Sequence, residues 1–241
     1  MQNTSPYKGN VKIFLDGAEK TQMLEMAKNP LVKGFTTNPS LMKKSGVKDY
    51  KSFCKEILGL IPDKPISFEV FADDFKEMKR QGMEINGWGK NVYVKIPVTN
   101  SEGQSSMPLV KELSQSGVKL NVTAILTLSQ VWETCQALRG GAPSIVSVFA
   151  GRIADTGRDP IPLMEAALHL CHSTDKNIEL LWASSREAWN VVQADAMGCH
   201  IITCTHDIIK KMGSFNKDLD QLSLETVKMF KADAESAGFT L

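Results

Sequence analysis

The sequence predicts an α/β fold, a single (β/α)₈ barrel over residues 1–241 with an extra C-terminal helix. The first observation behind this prediction is that short, β-rich apolar runs alternate eight times with longer segments of helical spacing. The second is length, because α/β barrels of about this size commonly form one domain. The third is that no linker rich in Pro, Gly or Ser divides the chain.

Eight runs of β-branched and apolar residues are the predicted strands. They span residues 11–17, 34–39, 66–71, 92–98, 120–126, 144–151, 178–184 and 200–206. Runs that are apolar on both faces are typical of parallel strands covered by helices. Eight βα units of this kind point to a closed barrel.

The segments between the strands have apolar residues at three- and four-residue spacing, as in "DDFKEMKRQGMEI" and "SQVWETCQAL". This spacing predicts amphipathic helices. After the last strand, residues 223–238 predict one more helix, with Ser223 as its N-cap and Gly238 as its end. We expect this helix to pack against the barrel or against a neighbouring subunit, which leaves a homo-oligomer open.

The charge of the chain is nearly balanced, with 28 Lys and Arg against 27 Asp and Glu, a net charge of +1. This balance excludes the strongly basic footprint of a nucleic-acid-binding protein and fits a small-molecule function better. The N-terminal residues lack the pattern of a secretory leader, and no apolar stretch approaches the roughly 18 residues of a membrane span. The sequence therefore predicts a soluble, cytoplasmic protein without a nucleic-acid or membrane partner.

The chain has five cysteines, an odd number without paired spacing, and most lie in apolar segments. We expect reduced, buried thiols. Cys199, His200, Cys204 and His206 are close together, but they lack a C-x-x-C motif and a second ligand pair. The sequence therefore favours no metal site, with structural zinc at these four residues as the weaker alternative.

Polar side chains recur near the ends of the predicted strands, where the active sites of barrel enzymes lie. In chain order they are Asp16, Thr36, Asn38, Glu69, Lys95, Asn121, Thr123, Ser147 and Ser184, with Arg152 and Arg186 directly after the sixth and seventh strands. Asp16 and Ser184, each taken singly, are more typical of N-caps of the following helices. Glu69 and Lys95 lie inside strands, where a structural ion pair and a catalytic pair are equally open.

The coincidence of one lysine, two carboxyl groups and two arginines at one end of a barrel favours chemistry. Burial among apolar neighbours disfavours the charged form of a lysine, which leaves an amine free to attack a carbonyl carbon. The resulting Schiff base accepts electrons when a carbon–carbon bond breaks, while carboxylates move protons. Arginines suit a phosphate because they stay charged and donate paired hydrogen bonds.

Seven segments match one protein family in the right order, over roughly residues 11–211. They are "FLDGA", "GFTTNPSLM", "ISFEV", "VYVKIPVT", "LNVTAIL", "VSVFAGRI" and "LLWASSR". Together they resemble the transaldolase family, which includes the fructose-6-phosphate aldolases. The resemblance implies a barrel that acts on sugar phosphates through a Schiff-base lysine, with no metal and no organic cofactor.

The resemblance also implies a role for each matching position. Lys95 resembles the Schiff-base lysine, Asp16 the aspartate that manages the hydroxyl proton, and Glu69 with Thr123 the pair that holds the catalytic water. Asn38 and Asn121 match residues that bind substrate hydroxyls, with Thr36 in support. Arg152, Arg186 and Ser184 match phosphate-binding positions, and Ser147 matches the serine at the base of the sixth strand.

Two positions distinguish the branches of the family that this sequence resembles. The aldolases have glutamine and tyrosine where this chain has Glu69 and Phe149, and the transaldolases have the residues of this chain. The resemblance therefore implies transfer of a dihydroxyacetone unit from fructose 6-phosphate or sedoheptulose 7-phosphate to an aldose phosphate. An aldolase that releases free dihydroxyacetone and a sugar-phosphate-binding barrel without turnover are the alternatives.

Two departures from the family pattern lie near the predicted phosphate end of the pocket. "VSVFAGRI" lacks the usual proline after its serine, and Ser185 stands where an aromatic residue is usual. Both positions bear on the acceptor sugar and on whether its terminal anion is a phosphate. The reaction type does not depend on them.

Overall fold

Eight parallel strands form a closed barrel in a computed structural model that describes residues 7–240. They are β1 (Lys12–Asp16), β2 (Val32–Thr36), β3 (Ile66–Glu69), β4 (Val92–Pro97), β5 (Leu120–Ile125), β6 (Ser144–Val148), β7 (Ile178–Trp182) and β8 (Ile201–Cys204). Each strand pairs with its neighbours in sequence order, and β1 also pairs with β8, which closes the barrel. The predicted (β/α)₈ fold is confirmed.

Helices connect consecutive strands around the outside of the barrel. They are α1 (Lys20–Ala27), α2 (Pro39–Lys44), α3 (Tyr50–Leu60), α4 (Phe75–Asn86), α5 (Met107–Gln115), α6 (Leu128–Leu138), α7 (Ala150–Asp155), α8 (Ile161–Thr174), α9 (Trp189–Ala196) and α10 (His206–Lys211), followed by a 3₁₀ turn (Met212–Ser214) and α11 (Leu219–Ala237). The two segments quoted for their spacing form α4 and α6. Their apolar faces are buried, with Met78 and Ile85 in α4 and Val131 and Leu138 in α6.

The second strand differs from its prediction. The sequence predicts residues 34–39, whereas β2 begins at Val32 and ends at Thr36. Asn38 lies past the strand and caps α2, where its Oδ1 accepts a hydrogen bond from the N–H of Leu41 at 2.9 Å. Pro39 is the first residue of α2, a position at which its missing N–H costs no helix bond. The other strands also end one to three residues earlier than predicted.

An apolar layer fills the inside of the barrel below the polar strand ends. It consists of Phe14, Ile145, Leu181, Ala183 and Ile201. Gly34 makes room for it, because a Cβ atom there would lie 2.6 Å from the ring of Phe14. Since side chains alternate along a strand, Phe14 and Asp16 point inward together, with Asp16 nearer the C-terminal end of the barrel.

The C-terminal helix begins earlier than predicted. Asp218 is the N-cap of α11 and accepts a hydrogen bond from the N–H of Gln221, so the prediction of Ser223 as N-cap is wrong. Gly238 ends the helix in the left-handed conformation, with a φ of 68°. No residue of α11 is buried, so within residues 7–240 this helix does not pack into the barrel. A neighbouring subunit as its partner stays a prediction.

The cysteines are free and buried, as expected. Burial raises the pKa of Cys199 and of Cys204 to about 12, so both thiols are protonated at neutral pH. Among residues 7–240, no group of three or more His, Cys, Asp or Glu side chains could hold a metal ion. In the same part of the chain, every helix is too short or too polar to cross a membrane.

Candidate active site

A cavity of about 520 Å³ opens at the carboxyl ends of the strands. Its lining includes Asp16, Asn38, Glu69, Lys95, Thr123, Phe149, Arg152, Ser184 and Arg186. A narrow inner extension of about 80 Å³ adds Thr36, Ser147 and Thr203. The structure therefore brings every site residue predicted from the sequence to this cavity except Asn121, which is fully buried and does not line it.

A second cavity of similar size, about 550 Å³, lies on the outside of the barrel between α3 and α4. It is lined by aromatic side chains, including Tyr50, Phe71 and Trp88, and by an exposed ion pair of Lys51 with Glu84. Aromatic walls and solvent-exposed charges form a groove without a buried reactive group. The cavity at the barrel mouth is the better candidate, because a buried amine meets carboxyl groups there.

Lys95 lies on β4 at the bottom of this cavity, and only 6% of the residue is exposed. Its Nζ lies 3.1 Å from Oε2 of Glu69 and donates a hydrogen bond to the carbonyl oxygen of Thr37 at 3.0 Å. The register of β3 and β4 sets Glu69 opposite Lys95. The ion pair that the sequence left open is present. It is compatible with catalysis, since a neighbouring carboxylate can take the proton that the amine must lose.

Asp16 ends β1 and lines the same cavity. The hydroxyl of Thr36 donates a hydrogen bond to its Oδ1 at 2.8 Å. Desolvation raises the pKa of Asp16, and the charge of Lys95 and the hydrogen bond from Thr36 partly offset that effect. The helix-cap alternative is wrong for this residue, because Glu19 is the N-cap of α1. A desolvated carboxyl group with a raised pKa is suited to exchange protons with a substrate.

Thr123 lies next to a bulge in β5. Ala124 has a φ of 62°, and the pairing of β5 with β6 shifts register between Val122 and Ile125. Bulges re-aim side chains and are frequent beside active sites. The hydroxyl of Thr123 is buried and has no hydrogen-bond partner among the described residues. A buried hydroxyl in this position is ready to bond to a molecule in the cavity.

Asn121 is fully buried on β5. Its Oδ1 accepts a hydrogen bond from the Ser147 hydroxyl at 2.6 Å, and its Nδ2 donates one to the Ser67 hydroxyl at 3.0 Å. This chain of polar side chains joins β3, β5 and β6 under the cavity, with both ends of the amide occupied. Contact between Asn121 and a substrate hydroxyl stays a prediction.

Two arginines lie at the rim of the cavity, and both are exposed. The guanidinium of Arg152 lies over the ring of Phe149, with 5.2 Å between Cζ and the ring centre. Arg186 is paired with Asp155 through its Nη2 and through its Nε, which lies 3.2 Å from Oδ1. At the rim, the guanidinium of Arg152 therefore stacks on an aromatic ring, and that of Arg186 is already paired with a carboxylate.

The start of α7 and the loop after β7 touch each other at this rim. The N–H of Gly151 bonds to the carbonyl oxygen of Ala183 at 3.4 Å. A Cβ atom at Gly151 would lie 1.6 Å from the carbonyl oxygen of Ser184, so only glycine fits. Ser184 has a φ of 59°, and it is not the helix cap that the sequence left open, because the N-cap of α9 is Ala188.

Sequence reasoning missed several polar residues of the site, namely Thr37, Ser67, Asp155 and Thr203. Ser67 lies two residues before Glu69, and Thr203 lies two residues after Ile201. Because strand side chains alternate, both face the inside of the barrel, and this alternation could have found them. Asp155 lies in the short helix α7, and its contact with Arg186 has no signature in the sequence.

The comparison with protein families gives a match to the family described as "Transaldolase/Fructose-6-phosphate aldolase" over residues 13–241. The chain belongs to this family. A "Probable transaldolase" of Thermoanaerobacter sp. (strain X514) is 35% identical over 231 residues, 96% of this chain and 100% of the relative. Another "Probable transaldolase", of Methanococcus maripaludis (strain C7), is 36% identical over 226 residues, 94% of this chain and 98% of the relative.

Two solved structures share the fold of this transaldolase-family protein. A monomeric dihydrodipicolinate synthase variant has a TM-score of 0.57 at 10% identity and covers 95% of this chain and 80% of its own. The 3-hexulose-6-phosphate synthase of Salmonella typhimurium has a TM-score of 0.54 at 16% identity, with coverages of 81% and 89%. At these identities the likeness shows the fold alone. Family membership, in contrast, makes this protein an enzyme of the transaldolase or fructose-6-phosphate aldolase type, which acts on sugar phosphates.

Proposed function

We propose that this protein is a transaldolase that transfers a dihydroxyacetone unit from a ketose phosphate to an aldose phosphate through a Schiff base on Lys95. The donor is fructose 6-phosphate or sedoheptulose 7-phosphate. One observation carries the proposal: the Lys95 amine is buried at the bottom of an open cavity, 3.1 Å from the carboxylate of Glu69. A cytoplasmic location goes with the proposal and is supported by five free, buried cysteines.

The first step is attack of the Lys95 amine on the carbonyl carbon of the ketose. Glu69 takes the proton that the amine loses, and a water molecule held by Glu69 and Thr123 relays protons as the carbonyl oxygen leaves as water. The buried hydroxyl of Thr123, without a partner in the described residues, supports this role. The product is an iminium in which the lysine nitrogen is bonded to the former carbonyl carbon.

Asp16 then removes the proton of the hydroxyl group beside the bond that breaks. The electrons of the carbon–carbon bond move to the iminium, an aldose phosphate leaves, and a three-carbon enamine stays on Lys95. In the second half, the enamine attacks the carbonyl carbon of the acceptor, and Asp16 returns the proton to the new hydroxyl group. Water then hydrolyses the iminium and frees Lys95. These steps use no metal and no organic cofactor.

The anionic end of each sugar binds at the rim in this proposal, between Arg152 and Arg186 and beside Ser184. Guanidinium groups stay charged and donate paired hydrogen bonds to phosphate oxygens. Support comes from the position of both arginines, which line the mouth of the cavity that holds Lys95. Asp155 must share or release Arg186 when an anion binds.

An aldolase that releases free dihydroxyacetone is the second candidate. Phe149 favours transfer over release, because the tyrosine that the aldolases have there would offer a proton to the enamine. The phenyl ring has no proton to give, and the guanidinium of Arg152 lies over it. Rapid cleavage of fructose 6-phosphate without an acceptor would favour the aldolase.

Borohydride trapping tests the proposal. With fructose 6-phosphate and borohydride, the protein should gain one reduced three-carbon unit, and peptide mapping should find it on Lys95. Lys95→Arg should lose trapping and essentially all transfer, because a guanidinium stays protonated and cannot act as the nucleophile. Lys79→Arg, at an exposed lysine of α4, is the matched control and should keep both. A label on another lysine would overturn the mechanism, and sugar binding without any label would favour a non-catalytic barrel.

A further inference from the structure

Thr203 lines the inner end of the cavity and has no part in the steps above. It lies on β8, is 4% exposed, and its hydroxyl oxygen lies 2.6 Å from the hydroxyl oxygen of Thr36. Thr36 in turn donates a hydrogen bond to Asp16 at 2.8 Å. Side chains from β8, β2 and β1 thus form one hydrogen-bonded chain that ends on a carboxyl group.

Each hydroxyl group has a single proton to donate, and this decides which group is the donor at each hydrogen bond of the chain. The Thr36 hydroxyl has one proton, and a charged Asp16 is its stronger acceptor, because a carboxylate makes the shorter and stronger bond. The oxygen of Thr36 is then left to accept a hydrogen bond, so Thr203 is the donor between the two hydroxyl groups. The carbonyl oxygen of Phe14 is a poorer acceptor for Thr203, because it lies 3.5 Å away.

Thr203 is also held from its other side. The hydroxyl of Ser185 donates a hydrogen bond to the carbonyl oxygen of Thr203 at 2.8 Å, and β1 pairs with β8 so that Phe14 lies opposite Thr203. In a buried chain each hydrogen bond polarises the next. The hydrogen bond from Thr203 to Thr36 therefore strengthens the bond from Thr36 to Asp16. This gain is larger when Asp16 is a charged carboxylate than when it is a neutral carboxyl group.

We propose that Thr203 is a positioning residue: through Thr36 it orients the carboxylate of Asp16 and favours its charged form. The inference rests on the proposed function, in which Asp16 accepts a proton from a substrate hydroxyl and must be charged to do so. Desolvation works against the charged form and raises the pKa of Asp16. The chain of hydroxyl donors offsets part of that cost at Asp16.

The test measures the pKa of Asp16 directly, by ¹³C NMR of protein labelled at the aspartate carboxyl carbons. The signal of Asp16 is assigned by its loss in Asp16→Asn. Thr203→Val removes the hydroxyl and keeps the shape, so it should raise the pKa of Asp16 and lower the charged fraction about threefold at pH values well below the wild-type pKa of Asp16. Thr203→Ser keeps the hydroxyl and should restore the wild-type titration.

Thr134→Val is the matched control, because Thr134 is fully buried and its hydroxyl bonds within α6 to the carbonyl oxygen of Gln130. It should leave the pKa of Asp16 unchanged. Thr203→Ala serves as a second variant without the hydroxyl if Thr203→Val does not fold.

Kinetics give an independent readout. The acid limb of the pH profile of kcat/KM should move to higher pH in Thr203→Val by the same amount as the NMR titration. A wild-type pKa of Asp16 in Thr203→Val overturns the inference even when Lys95 traps substrate. Failure of trapping in the wild-type enzyme overturns the proposed function instead, and the NMR titration still tests the hydrogen-bonded chain.

Discussion

Arg186 and Asp155 form an exposed ion pair at the rim of the cavity, with 50% and 52% of their side chains open to solvent. An exposed pair of this kind contributes only about 0.2–1 kcal/mol to folding. In the proposed function, a phosphate that binds Arg186 must replace or share this carboxylate. On this proposal, Asp155 would weaken phosphate binding by an amount similar to the strength of the pair.

Asp155→Asn is expected to lower KM for phosphorylated acceptors about two- to fivefold, because it removes a competitor worth at most about 1 kcal/mol. Arg186→Ala should act in the opposite direction and raise KM by a factor worth about 2–4 kcal/mol, the cost of losing a charged hydrogen-bond partner. Steady-state kinetics with phosphorylated and unphosphorylated acceptors measure both effects, and the unphosphorylated acceptors should change little.

Glu77→Gln is the matched control for these variants, because it breaks another exposed ion pair, with Arg80 on α4. It should leave KM unchanged for every acceptor. Equal changes for phosphorylated and unphosphorylated acceptors in Asp155→Asn would assign the ion pair a structural role and contradict the prediction.

Individual residues differ in how well the sequence predicts their place. Lys95 and Glu69 stand out because a charge inside an apolar strand is costly unless it has a partner or a function. Ser67 and Thr203 do not stand out, since a hydroxyl in a strand can bond to the backbone at little cost. The contacts of Ser67 and Thr203 depend on which strands are neighbours and on their register in the closed barrel, and the sequence does not specify either.

At the scale of elements, the start of α7 contacts the loop after β7 at the rim of the cavity, where Arg152 and Arg186 lie. Gly151→Ala would place a methyl group 1.6 Å from the carbonyl oxygen of Ser184, so α7 or the loop after β7 must move. We expect a loss of about 1–3 kcal/mol in the free energy of unfolding, as for other overpacked sites, and a larger KM for phosphorylated sugars. Urea unfolding and steady-state kinetics measure the two effects.

Gly59→Ala in α3 is the control, because a Cβ atom there meets open space. It should stabilise the protein by about 0.5–1 kcal/mol, since alanine favours a helix more than glycine does. Wild-type stability together with wild-type KM in Gly151→Ala would show that α7 and the loop after β7 move apart freely.

α11 exposes apolar side chains along most of its length, among them Leu222 at 41% and Phe230 at 62%. Such a surface is typical of an interaction site, and a helix with little tertiary packing is only marginally stable in water. Because no residue of α11 is buried against the barrel, a neighbouring copy is the partner that remains from the sequence prediction.

Phe230→Glu should therefore shift the protein to a smaller species in sedimentation velocity, because a charge would have to enter the apolar contact. Lys228→Glu changes the charge on the opposite face of the same helix and should leave the assembly unchanged. An unchanged sedimentation coefficient in Phe230→Glu, with the barrel still folded, would rule out this contact.

The start of α11 shows where element boundaries escape sequence analysis. Asp218 and Ser223 are both residue types that cap helices, and each precedes a run with apolar residues. Asp218 is used, and its side chain bonds to the N–H of Gln221 three residues later. The apolar spacing could not decide between them, because the apolar residues of this helix have no buried face to define it.

At the scale of the whole molecule, the sequence predicted the barrel because the same pattern, an apolar strand followed by an amphipathic helix, recurs eight times. Each repeat is independent evidence for the same fold. One misjudged boundary, as at β2, does not change the topology. The same closure that makes the fold predictable also forces polar side chains together at the strand ends, where they lose contact with water. This desolvation lowers the free energy of unfolding of the whole protein.

Asp16 couples that stability to pH. Because desolvation raises its pKa above the ordinary value of 3.8, the folded protein binds a proton at Asp16 more tightly than the unfolded chain does. The stability contributed by this proton is fully present below pH 3.8 and is lost as the pH rises through the pKa of the folded state. At neutral pH the wild-type protein therefore carries a penalty that an uncharged side chain would avoid.

Asp16→Asn keeps an oxygen that can accept the hydrogen bond from Thr36 and removes the charge. It should match the wild type in stability below about pH 3, and at neutral pH it should exceed the wild type by about 1.4 kcal/mol for each unit by which the pKa is raised. Transfer activity should fall by about 10²–10⁴, the usual loss for a general base. Urea unfolding across a pH series measures the stability difference.

Asp175→Asn is the control of opposite sign, because backbone hydrogen bonds from Asn177 and Gly140 hold the pKa of Asp175 below its ordinary value. A stability gain in Asp16→Asn that shrinks as the pH rises would mean that Asp16 is stabilised in its charged form by the fold.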